Sequence, residues 1–175
     1  GTFILLILGE AIIQLVQHPG GIGIKDYTRG LIGFTVVFNV GDIYYQQQLL
    51  EREVIVDYSM RSPSYIWISL HLLLSLSILF FAASIKLVYD AESGVRRREE
   101  EFLMCGFVAV SLCLIYLLRL QYKGIWSNGS GYRLVSYLFR FGMSGACAAI
   151  PLVTQDALLT VLLLLVVTVL LVLQV

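Results

Sequence analysis

The sequence predicts an all-α fold: a polytopic membrane helical bundle of about six transmembrane helices. Three observations predict it. Hydrophobic residues make up 58% of the 175 residues, charged residues only 14%, and mean hydropathy is +0.85, whereas soluble domains carry about 25% charged residues. Apolar runs close to the roughly 20 residues that a spanning helix needs recur along the chain. Short segments of Pro, Gly and charged residues separate them. The 12 basic and 12 acidic residues balance, so nothing points to nucleic acid.

The first run extends from Gly1 to Gln17. It lacks an initiator Met and a basic leader, so it reads as the tail of a helix in a piece of a longer membrane protein, not as a signal peptide. "HPGGIGIKDYTRG" ends it. The second run, Gly30 to Leu49, is followed by the charged loop "EREVIVDYSMRSPS". The third, Tyr65 to Tyr89, has aromatic residues at both ends, as membrane interfaces favour. "DAESGVRRREEE" leads into the fourth, Phe102 to Tyr122. After the Gly/Ser-rich "KGIWSNGSGYR" come the fifth, Leu134 to Val153, and the sixth, Ala157 to Val175. Short loops make consecutive helices antiparallel neighbours.

The basic cluster in "VRRREEE" places the loop between runs three and four on the cytoplasmic side. "Asn128-Gly129-Ser130" matches a glycosylation acceptor pattern and falls on the opposite side.

Polar residues fall into stripes at helical spacing. Glu10, Gln14, Gln17 and His18 line the first helix; Thr35, Asn39, Asp42 and Gln46 the second; His71, Ser75, Ala82 and Lys86 the third; Ser136, Arg140, Ser144 and Cys147 the fifth. The fourth helix shows no stripe. The sixth, with Thr160 and Thr168 as its polar residues, reads as lipid-facing. At 1.5 Å per residue, Asp42, His71 and Arg140 each lie about 9–10 Å inside the same membrane face, and Glu10 lies nearer the midplane.

Ionisable groups at such depths face a partner or a polar cavity, because facing lipid costs several kcal/mol. Asp42 with Arg140 is the natural ion pair. His71 has Asp42 or Glu10 within its expected reach. Glu10, His71, Asp42, Asn39 and Arg140 are therefore the candidate proton or ion site. A static polar network that fixes helix register is the alternative reading.

Other features take plainer readings. Cys105, Cys113 and Cys147 form no CxxC pair and lie in apolar runs, as small core side chains do. "FRFGMSGACAA" offers small residues for close helix approach. Tyr44 and Tyr45 read as interfacial aromatics. No zinc-hydrolase, nucleophile-elbow or phosphate-loop motif occurs, so no enzyme, cofactor or metal is expected. The expected partners are the lipid bilayer and protons or small ions.

The segments "FILLILGEAIIQLV", "FTVVFNVGDIYYQ" and "YIWISLHLLLSLSILFFAASI", in that order, resemble the low temperature requirement A (LtrA) family of membrane proteins. The resemblance covers about Phe3 to Ile85. It aligns Gly9 and Glu10 with the family's Gly-Glu motif, His71 with its helix histidine and Tyr45 with its aromatic pair. Family members place an acid after the aromatics; here Asp42 precedes them. The resemblance implies a multi-pass membrane protein longer than this chain, and supplies no substrate and no counterpart for Arg140.

Two functions fit these features. One is a proton- or ion-coupled transporter or channel-like protein with an intramembrane polar site. The other is a membrane scaffold, sensor or assembly factor in which the same residues are structural.

Overall fold

The computed structural model describes residues 7–10, 13, 24–54, 64–90, 98–120, 131–154 and 157–173. All regular structure among them is helical. α1 is represented by residues 7–10 and 13. The other helices are α2, Ile24–Val54; α3, Ser64–Asp90; α4, Arg98–Leu120; α5, Gly131–Val153; and α6, Ala157–Val172.

Five helices thus follow the five later apolar runs, but two have unexpected lengths. α2 has 31 residues, about 45 Å of helix, and outruns a hydrocarbon core of about 30 Å. Charged and helix-favouring residues continue it beyond both apolar boundaries, from Lys25 and Asp26 at one end to Glu51 and Arg52 at the other. α6 has 16 residues, with Leu173 already in a turn. Among the described residues, three helices are long and apolar enough to cross a membrane: Tyr65–Ile85 of α3, Glu99–Leu120 of α4 and Val135–Val153 of α5. α2 misses this mark because Asn39, Asp42, three tyrosines and three glutamines dilute its apolar residues.

α4 is the hub. It packs mainly between α3 and α5 and also touches α2 and α6. Its membrane-length stretch is 61% buried, against 28% for that of α5. This explains why α4 shows no polar stripe: a helix surrounded by neighbours is apolar on every side. Leu112, Ile115 and Met104 fill the interior from α4, Leu74 and Ile78 from α3, and Ile43 from α2. Glu99, Glu100 and Glu101 occupy the first turn of α4 and Arg119 its last, charges that complement the helix dipole.

α6 packs chiefly on α2. It is not purely lipid-facing, because Thr160 and Thr168 are both fully buried. α5 contains Pro151 near its end, which cannot donate a backbone hydrogen bond. Beyond it, Thr154 closes the helix: its N–H and its hydroxyl both donate to the Ile150 carbonyl, at 3.1 and 3.0 Å. α1 approaches α2 where Leu8 lies over Gly41. A Cβ on Gly41 would sit 2.8 Å from Leu8 Cδ1.

Large apolar side chains cover much of the outside, among them Phe38, Leu72, Phe80, Val135 and Leu138. Exposed apolar surface on this scale is costly in water and is the natural face toward lipid. Gly142 and Gly145 of α5 also have open space around them. Among the described residues they do not serve the close helix contact expected of "FRFGMSGACAA". The buried side of α5 is instead the predicted stripe of Arg140, Ser144 and Cys147, extended by Ile150.

Candidate functional site

α2 and α3 contribute a contact between Tyr44 and His71. The Tyr44 hydroxyl lies 3.1 Å from His71 Nε2. His71 Nδ1 lies 3.0 Å from the Trp67 carbonyl, one turn back on α3. A carbonyl only accepts, so Nδ1 carries the proton. In the neutral ring Nε2 is then a bare acceptor, and the Tyr44 O–H donates to it. The Trp67 ring lies against the imidazole, with centroids 3.9 Å apart, and Tyr45 packs edge-on against Tyr44. Tyr44 is buried and His71 is half-buried. Tyr44 is thus more than an interfacial aromatic.

The other candidates have different surroundings. Asn39 donates to the Thr168 hydroxyl at 3.1 Å, joining α2 to α6. Asp42 accepts from Gln46 at 2.6 Å, within α2. Thr35, on the same stripe, donates back to the Leu31 carbonyl. Arg140 is buried on α5, with its guanidinium carbon 5.8 Å from the Tyr116 ring centroid of α4. The expected Asp42–Arg140 pair is therefore replaced by two separate settings, on two helices that share little contact. Asp42 can be satisfied within its own helix because Gln46 stands four residues on.

His71 takes Tyr44 as its side-chain partner, not Asp42 or Glu10. Glu10 is exposed on α1, two residues from the buried Leu8. Gln14, Gln17 and His18 of its stripe lie outside the described residues, as does the Lys86 side chain. Ser75 donates to the His71 carbonyl at 2.8 Å.

Two further polar groupings lie between helices. Ser77 of α3 and Ser111 of α4 bring their hydroxyls within 2.5 Å. Thr160 of α6 is 2.7 Å from the Thr154 hydroxyl and donates to Glu101 of α4 at 3.4 Å. Glu101 is buried although it belongs to a charged run that reads as solvated. One signal separates it from Glu99 and Glu100: it stands at helical spacing from the buried Met104, Cys105 and Val108. No group of three or more His, Cys, Asp or Glu among the described residues is placed to hold a metal ion.

Chemically, the Tyr44–His71 contact can exchange a proton. If Nε2 gains one, the ring becomes a donor on both sides and the Tyr44 oxygen must turn to accept. The indole face of Trp67 offers a favourable surface to the resulting cation.

The chain matches the family described as bacterial low temperature requirement A protein (LtrA) over residues 1–174. No curated protein and no solved structure matches it. The match extends the resemblance, carried by Gly9, Glu10 and His71, to nearly the whole sequence, and the apolar helices are those of an integral membrane protein. The chain belongs to the bacterial LtrA family of membrane proteins.

Proposed function

We propose that this LtrA-family chain is a multi-pass membrane protein that moves protons or small ions, with His71 as the proton-exchanging group and Tyr44 as its partner. The observation that carries this reading is the 3.1 Å contact between Tyr44 Oη and His71 Nε2 across α2 and α3. It links an imidazole, a side chain able to take up and release a proton, to the most polar helix of the bundle. Asn39 and Asp42 lie on that same helix and would supply polar surface along a path. Arg140 and Glu10 would act at separate places, on α5 and α1.

The test is proton or cation flux in liposomes containing wild-type protein, His71→Ala, Tyr44→Phe or Glu10→Gln. The reading expects loss of flux for His71→Ala, a reduced rate for Tyr44→Phe, and a smaller effect for the exposed Glu10→Gln. Unchanged flux in folded His71→Ala protein would sink it.

A second reading, a non-transporting scaffold, sensor or assembly factor, draws support from the Asn39–Thr168 hydrogen bond. That pair is buried, mutually satisfied and suited to holding α2 on α6. The scaffold reading expects no flux from the wild-type protein and reduced stability when Asn39 or Thr168 is replaced.

A further inference from the structure

α4 and α5 carry the same four-residue spacing near one membrane face: "YLLR" at Tyr116–Arg119 and "YLFR" at Tyr137–Arg140. Antiparallel packing crosses the two motifs. The Arg140 guanidinium carbon lies 5.8 Å from the Tyr116 ring centroid, and that of Arg119 lies 5.7 Å from the Tyr137 ring centroid. Each arginine is thus stacked on the tyrosine of the other helix.

Two donors in this cluster are buried without a hydrogen-bond partner among the described residues: the Tyr116 hydroxyl and Arg119 Nη1. Tyr116 itself is 0% exposed. An arginine N–H can only donate, whereas a phenol both donates and accepts. Neither helix offers a carboxylate at this level. α5 contains none, and those of α4 are Glu99, Glu100 and Glu101 in its first turn, about 22 Å along the axis from Tyr116. Among the described residues of α4 and α5, no negatively charged acceptor stands beside the Tyr116 hydroxyl and Arg119 Nη1.

We propose that Tyr116, Arg119 and Arg140 form a binding site for a phosphate-type oxyanion between α4 and α5, with Tyr137 positioning Arg119. A tetrahedral oxyanion presents several acceptor oxygens at once. Planar guanidinium groups meet such oxygens in pairs, and the Tyr116 hydroxyl takes another. The aromatic faces hold both arginines in place before the anion arrives. The same chemistry is met by a free oxyanion or by the phosphate of an anionic lipid headgroup, since Arg119 lies one residue from the end of α4. This site stands apart from His71 and does not rest on the transport reading.

The test uses purified full-chain protein. Binding of inorganic phosphate is measured calorimetrically in detergent, and binding of phosphatidylglycerol in phosphatidylcholine nanodiscs, for wild type, Arg119→Gln, Arg119→Lys and Tyr116→Phe. Saturable phosphate binding that weakens at least tenfold in Arg119→Gln, severalfold in Tyr116→Phe, and recovers in part with Arg119→Lys supports a free anion. The same pattern for phosphatidylglycerol alone supports the lipid headgroup. Tyr116→Phe keeps the packing, so it decides the matter if Arg119→Gln fails to fold. No saturable binding of either probe overturns the proposal, as does binding left unchanged by Tyr116→Phe and by every folded Arg119 variant.

Discussion

His71 is the residue whose surroundings are most specific. Its Nδ1 is committed to a carbonyl, so its protonation state is read by one atom, Nε2, and by one neighbour, Tyr44. Tyr44→Phe keeps the ring packing and leaves that acceptor unpaired. It should lower stability by about 1–3 kcal/mol, measured by thermal unfolding in detergent. A loss well under 1 kcal/mol would mean that the contact is made loosely or that water replaces it. At Asn39 and Thr168 the expected pair energy is smaller. A double-mutant cycle with Asn39→Ala and Thr168→Val should return a coupling near 0.6 kcal/mol, as interhelical hydrogen bonds in membrane proteins average. His71 was readable as a candidate in the sequence because an imidazole in an apolar run is unusual. Its partner was not, because Tyr44 beside Tyr45 has the composition of an interfacial anchor. Only the packing of α2 on α3 distinguishes the two roles.

Among the elements, α4 and α5 differ most in what surrounds them. Leu112 of α4 is fully buried, so Leu112→Ala should cost about 2–5 kcal/mol, the range for cavity formation in a packed interior. Gly142 of α5 faces open space. Gly142→Ala should be neutral or should stabilise by up to about 1 kcal/mol through helix propensity. Unfolding midpoints of the two variants check both expectations, and a large loss for Gly142→Ala would show that this face is covered in the membrane. The stripe on α5 was legible because Arg140, Ser144 and Cys147 recur at helical spacing on an otherwise apolar helix. The role of α4 was not, since being enclosed erases the periodic signal that spacing analysis needs. The paired "YLLR" and "YLFR" motifs were visible as letters. Their crossing depends on the antiparallel register of α4 and α5, which sequence spacing does not fix. The buried face of α6 is not legible in the sequence, because Thr160 and Thr168 are ordinary residues in a lipid-facing helix. Their significance comes from Glu101, Thr154 and Asn39 on other elements.

For the whole molecule, the apolar exterior and the polar contacts between helices describe a bundle solvated by lipid and held in register from within. If α3, α4 and α5 cross the membrane in sequence, the connections at 91–97 and 121–130 lie on opposite faces. Ser93→Cys and Ser127→Cys, each in a background with Cys105, Cys113 and Cys147 replaced, should then be labelled by an impermeant thiol reagent from opposite sides of sealed vesicles. Labelling from the same side would refute the crossing of α4. In the proposed function a proton is exchanged at the contact between α2 and α3. Nitrogen-15 spectra of selectively labelled His71 in nanodiscs, recorded between about pH 4 and 9 to bracket the ordinary histidine range, test it most directly. A reversible titration of the Nε2 signal is expected, with a midpoint that moves in Tyr44→Phe. A His71 ring that keeps one protonation state throughout, or one whose titration ignores Tyr44→Phe, would contradict it.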